Sequence, residues 1–359
     1  MTRSFSCAML QRIWTARRMT QALLVITAII LSAACNKSPK AYQTHFSALG
    51  TEIDISFWSV DEKKADQATQ DIREIMEDVE KRWHAWRPSE LTQINAHLAR
   101  SEKAMVDAPA LSYLKKAAAL SIASGDRFNP GIGQLIRLWG FAGDEPPHGP
   151  PPAQEKIDEL LRHNISMADL QFDSDGISSR NAALQLDLGG WAKTIALDGA
   201  IERLRALDIN NAIVNVGGDL RVLGAKGDQP WKLGIRNPRG AGVIASVTGQ
   251  GDESVFTSGD YERYFDWEGV RYQHIIDPKT GRPANGVASV TVIHHDTALA
   301  EAASKAILIA GAQGWRQVAA QLGVTQVMLI APDLHVYLTP AMAQRVNFVQ
   351  TPPAKDIVP

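Results

Sequence analysis

The sequence predicts an α+β fold: one globular unit of two interlocked lobes, with a mainly antiparallel sheet and packed helices. Three observations point there. Helical and strand-like segments are interspersed, the strands of the second half follow one another with little helix between them, and no clean linker interrupts residues 44–350. With 45% hydrophobic and 21% charged residues, the 359-residue chain is neither disordered nor fibrous. Its 37 Lys+Arg against 39 Asp+Glu give no electrostatic footprint for a nucleic-acid partner.

Residues 1–35 read as an address rather than as fold. Arg3, Arg12, Arg17 and Arg18 stand there without an acid, and residues 22–34 form an apolar run ending at Cys35. Thirteen helical residues span roughly 20 Å, short of the ~30 Å hydrocarbon core, so the pattern is that of a secretory signal. Ser32-Ala33-Ala34-Cys35 resembles a bacterial lipobox, with Leu31 one place further upstream than usual. A lipidated Cys35 would anchor the protein in the cell envelope facing the periplasm; a plain signal peptide is the alternative. Loss of the leader takes four arginines and moves the net charge from −2 to −6. It also removes Cys7, so the folded part has no disulfide. Residues 36–43 follow as a polar tether, and residues 351–359 as a tail.

Between them the elements come in order. Thr51–Trp58 alternates like a strand. Ile72, Ile75, Met76, Val79 and Trp83 recur at three- and four-residue intervals, which predicts an amphipathic helix over 62–83. Pro109 opens a second helix that Ser124-Gly125 ends. The proline-rich residues 144–152 form an exposed connection. A third helix is predicted over 190–207. Strands follow at 212–216, 231–235, 243–247, 270–276 and 289–293. Residues 297–310 are helical with Gly311 as the stop, and 326–330 with 335–338 close as a hairpin.

Several polar clusters stand at the ends of these runs. Gly217 and Gly218, before Asp219, would let backbone N–H groups approach a phosphate, although the segment alone also reads as a turn. Thr257 and Ser258 offer hydroxyls, again with a turn as the plain reading. His274 stands three residues before Asp277-Pro278 and is either a titrating imidazole or a sheet residue. Asp187-Leu188-Gly189-Gly190 opens the helix bearing Lys193, a pattern suited to an anion. His294-His295-Asp296 looks like a metal tract, but adjacent strand residues face opposite ways and seldom share an ion.

Taken in order, these segments resemble the FAD:protein FMN transferases, the ApbE family. The resemblance runs through Leu49-Gly50-Thr51, Ser89-Glu90-Leu91 with Ile94-Asn95, and Phe128-Asn129-Pro130 with Leu138-Trp139-Gly140-Phe141. It continues through Asp187 to Lys193, Val216 to Asp219, Gly234 to Pro238, Thr257 to Tyr261, and His274 with Asp277-Pro278 and Thr280-Gly281. It implies FAD as substrate, Mg²⁺, and transfer of FMN to a threonine of an acceptor protein, a redox-complex subunit, with release of AMP. A non-catalytic FAD-binding lipoprotein and an FAD pyrophosphatase are the alternatives.

By the same resemblance, Leu49 and Trp86 flank the flavin, and Arg127, Phe128, Asn129, Asp187, Lys193 and Ile276 line the FAD site. His274 handles the proton. The metal would be held by the Gly190 carbonyl and two side chains of the late helix, where the family carries an aspartate and, four residues later, a threonine. This chain carries Glu301 and Lys305 there, with Ser304 between them. Either the Lys305 ammonium takes the ion's place, or Glu301 and Lys305 form an ordinary i,i+4 pair and catalysis has decayed.

Overall fold

The computed structural model describes residues 41–358, Gln250 excepted. The leader, the lipobox at residues 32–35 and most of the tether lie outside the described residues. Nine strands form the main sheet, and their order across it is their order along the chain. They are β1 (Ala41–Ala48), β2 (Thr51–Trp58), β3 (Ala212–Val216), β4 (Asp219–Gly224), β5 (Gly251–Gly259), β6 (Ser289–His294), β7 (Val327–Ile330), β8 (Val336–Leu338) and β9 (Lys355–Ile357). Neighbours run antiparallel except β8 with β9. β1 therefore takes in residues 41–43, read from sequence as tether, and β9 takes in 355–357, read as tail.

Between β2 and β3 the chain makes a long helical excursion. It comprises α1 (Glu62–Trp83), α2 (Glu90–Leu98), α3 (Ala108–Ala123), α4 (Gly133–Leu138), α5 (Gln154–Leu161) and α6 (Trp191–Ala206). A further helix, α7 (Thr297–Leu322), joins β6 to β7. α1 starts where Asp61 accepts the Lys64 N–H at 3.0 Å, and it buries Ala65, Ala68, Ile72, Met76, Val79 and Trp83 along one face. α3 starts the same way at Asp107, with Pro109 in its first turn. Gly311 does not stop α7. It kinks the helix at φ 70°, ψ 178°, and the buried face resumes at Trp315, Val318 and Ala319.

Both faces of the sheet are covered, which explains why β7 is apolar throughout instead of alternating. Val327 and Leu329 join the core under the helices, with Ile53, Ile55, Ile72 and Val214. Met328 and Ile330 join a second core under a small sheet of Trp231–Arg236, Val243–Gly249 and Val346–Phe348. A third cluster of Trp139, Phe141, Ile157, Phe265 and Ile276 packs beneath the hairpin Tyr264–Trp267 and Val270–Gln273. The strand predicted over 270–276 is thus two, Val270–Gln273 and Ile276–Asp277, and His274 falls in the break.

Two local devices pin the segments that link the sheet to the helices. Leu49 and Gly50 connect β1 to β2 in two residues, with φ 54° and 67°. Both central residues of such a turn take positive φ, a conformation a leucine adopts only under strain. The second device is Asn95 on α2. Its amide donates to the Leu186 carbonyl and its oxygen accepts the Leu186 N–H, each at 2.8 Å. That buried double bond fixes the segment leading to Gly190. Asn95→Ala leaves both backbone groups without partners and should cost roughly 2–4 kcal/mol, read as a lower urea midpoint at unchanged slope.

Candidate active site

A cleft of about 650 Å³ opens between the turn after β1, the helical excursion and the loops that end β3 and β5. One wall is aromatic. Trp86 donates its indole N–H to Asp144 at 3.3 Å, and His84 meets its ring edge-on at 4.7 Å. The Arg263 guanidinium lies 5.8 Å from the Trp86 ring while donating to the Gly143 carbonyl at 2.6 Å. Leu49 also lines the cleft, its strained turn held where the Leu49 N–H donates to Glu80 at 2.8 Å.

The floor carries paired charges. Lys193 Nζ lies 3.0 Å from Asp219, whose other oxygen accepts the Thr257 N–H at 3.2 Å. One turn of α7 supplies Glu301 and Lys305, joined at 2.5 Å. Ser304 is turned away from the cleft; its hydroxyl pairs with Ser258 at 2.8 Å and donates to the Glu301 carbonyl. α6 begins at Gly190 without a side-chain cap hydrogen bond, and Gly190, Trp191, Ala192 and Lys193 at its start line the cleft.

Burial and these charges set protonation. The His274 imidazole is reachable from the cleft but lies deep in it. Burial, then the nearby Lys305 and Arg263 cations, hold its pKa down to about 3. It is therefore neutral near pH 7. Its Nδ1 lies 3.2 Å from the Arg263 carbonyl, which fixes the Nδ1–H tautomer and leaves Nε2 bare. Burial works against the Lys193 ammonium, but Asp219, with Glu301 and Glu262, outweighs it and moves the pKa up. Burial raises Asp187, against the Gly189 N–H and Arg263, and it raises Glu262 as well.

Comparison with known proteins decides what this arrangement belongs to. A family model described as the ApbE family matches residues 49–329. This chain belongs to the ApbE family. A Rhodobacter capsulatus protein named FAD:protein FMN transferase is 38% identical over 305 residues, covering 85% of this chain and 58% of that protein. One from Vibrio cholerae is 30% identical over 320 residues, covering 87% of this chain and 94% of the relative. Among solved structures, the ApbE protein of Thermotoga maritima superposes with a TM-score of 0.77 at 33% identity, over 85% of this chain and 99% of that one. The flavin transferase ApbE of Vibrio cholerae gives 0.73 at 27%, over 86% and 99%.

Within this ApbE-family cleft, most residues singled out by sequence come together. Leu49, Trp86, Arg127, Phe128, Asn129, Asp187, Gly190, Lys193, Gly217, Thr257, Ser258, His274, Ile276, Glu301 and Lys305 all line it. Two do not. Gly218 is exposed at the turn, and its N–H is taken by Asn215 at 2.8 Å. Ser304 is wholly buried behind the floor. Asn129 reaches the wall, but its amide is spent on the Ile165 carbonyl and the Gly131 N–H. Sequence reasoning missed Glu80, Asp144, Glu262 and Arg263, which also line the cleft. The charged pair following the Thr-Ser-Gly-Asp-Tyr segment, just before a hairpin, was the available signal for the last two. His294-His295-Asp296 is no metal tract: Asp296 caps α7, and its own N–H bonds His294.

The metal position can be tested on geometry. A Cβ added to Gly190 would lie 2.5 Å from Glu301 Oε1 and 2.9 Å from Lys305 Nζ, so backbone, carboxylate and ammonium are already in contact. Among the described residues, no three His, Cys, Asp or Glu side chains gather where they could hold an ion. A divalent ion about 4 Å from an ammonium is opposed by roughly 8 kcal/mol at an effective dielectric of about 20. Mg²⁺ also demands six oxygens in near-ideal octahedral geometry. The set of Gly190, Glu301 and Lys305 does not fit such an ion.

The depressed His274 pKa has a signed consequence. Between about pH 6.5 and 3 the unfolded chain binds a proton that the folded one refuses, so stability falls as pH falls through that window. His274→Gln removes this contribution. Wild type should lose up to about 2 kcal/mol more than the variant between neutral pH and about pH 5, measured by urea unfolding at each pH.

Proposed function

We propose that this ApbE-family protein is an FAD:protein FMN transferase that moves FMN from FAD to a threonine hydroxyl of an acceptor protein and releases AMP. The observation that carries this reading is the convergence of a neutral His274, the Lys193 ammonium and an aromatic wall on one cleft. Its volume of about 650 Å³ lies within the range of small-molecule sites.

In the reaction, the acceptor oxygen attacks the phosphorus that carries the riboflavin. The bond from that phosphorus to the bridging oxygen breaks, and the oxygen leaves with AMP. The hydroxyl proton passes to Nε2 of His274, because Nδ1 is committed to the Arg263 carbonyl. Lys193, steadied by Asp219, offsets charge on the pyrophosphate, and the N–H groups at the start of α6 add a weaker positive field. Leu49 and Trp86 confine the flavin end, and the fixed walls hold the two reacting groups in line. The leader pattern supports a lipid anchor at Cys35 and a periplasm-facing place in the cell envelope, which would bring the cleft to exported redox subunits.

The test is incubation with FAD and candidate threonine-bearing redox subunits. It is read as covalent flavin fluorescence on a denaturing gel together with AMP release. Transfer should depend on the acceptor, and His274→Ala should slow it by about 10²–10⁴-fold while FAD affinity changes little. AMP and free FMN appearing without acceptor would make the protein a pyrophosphatase. Tight FAD binding with no AMP under any condition would make it a carrier.

A further inference from the structure

We propose that the Lys305 ammonium is the built-in counter-ion for the substrate's pyrophosphate, so that this protein binds FAD without a divalent cation. The inference rests on the transferase reading for the identity of the ligand. Its grounds lie in how one turn of α7 is arranged. Glu301 and Lys305 form a polarised pair whose members differ sharply in depth. The Glu301 side chain is 2% exposed and the Lys305 side chain 24%. Both side chains line the cleft, and Lys305 is the more exposed of the two, so its ammonium is the more open to a ligand there.

The pair is hemmed in by two neighbours. Gly190, at the start of α6, sits so close that even a methyl group would strike both Glu301 and the Lys305 ammonium. Ser304, between the two, is locked to Ser258 and the Glu301 carbonyl, so this turn gives the cleft no hydroxyl ligand. On the same floor Lys193 provides a second ammonium, partnered by Asp219. Two lysines on one floor, each paired with a carboxylate, form an anion cradle. A lysine is a compact point charge with three donors, and one carboxylate oxygen leaves donors for phosphate oxygens. A dianionic diphosphate ester is the ligand class that this pair of charges matches.

The purified full-length chain, stripped with EDTA, is titrated with FAD by calorimetry and flavin fluorescence, in excess EDTA and in excess Mg²⁺. Expected is the same affinity within about twofold in both. Mn²⁺ added alone should keep the paramagnetic resonance signal of the free ion. Lys305→Thr should weaken FAD binding in EDTA by at least about tenfold, and added Mg²⁺ should recover it because Glu301 is released. A wild-type affinity that rises tenfold with Mg²⁺, or stoichiometric Mn²⁺ binding, overturns the inference and leaves the transferase reading standing. FAD binding by Lys305→Thr in EDTA as tight as wild type also overturns it. Failure to bind FAD in either medium removes the transferase reading, and this inference falls with it. The wild-type measurements need no variant to fold.

Discussion

Glu301 lies in the interior of α7 almost wholly out of water, and a carboxylate there is tolerable only because Lys305 closes on it one turn later. That contact sets the character of the cleft floor. It presses against the Gly190 backbone at the start of α6, it adds to the positive field that keeps His274 neutral, and it leaves an ammonium facing the ligand space. Removing Lys305 would strand the buried Glu301 carboxylate. The pair is thus a structural element as much as a chemical one.

The rest of the architecture holds that floor in register with the walls. The sheet's spatial order equals its chain order, and its central strands bring Gly217, Asp219, Thr257 and Ser258 to one end. The helical excursion delivers the other half: Trp86, Asp187, Gly190 and Lys193. Asn95 locks the approach to Gly190, and the break between two short strands leaves His274 on irregular backbone. Binding groups come from loops, from the start of α6, from the end of β5 and from one turn of α7, on a scaffold with a packed core.

Much of this was legible in the residues. The spacing of Ile72, Met76, Val79 and Trp83 announced α1, and 212–216 matched β3 to the residue. Strand β4 was hidden because Asp219 and Arg221 look like surface residues. Arg221 is instead buried, paired with Asp198 and Asp252. Compensated interior charge has no signature in hydropathy. Gly311 misled because a glycine that kinks a helix and one that ends it look alike without knowing what packs beyond. The site was readable where glycines and motif order marked it. Arg263 and Glu262 were marked in sequence only as a charged pair before a hairpin, and their partners Trp86 and Lys193 are brought beside them by the fold. Whether Lys305 takes the ion's place or only pairs with Glu301 was an open choice in sequence; the folded chain shows the i,i+4 contact and also places Lys305 in the cleft lining.

The pairing of β2 with β3 joins Ile53 through Phe57 to Ala212 through Val216, closing a loop of about 150 residues. Closing so long a loop costs chain entropy before its contacts reward it, a feature that slows folding in general. The ligand space uses both sides of that junction, Leu49 just before β2 and Gly217 just after β3. Neither side can be competent alone, so the pocket exists only where that long-range pairing has closed.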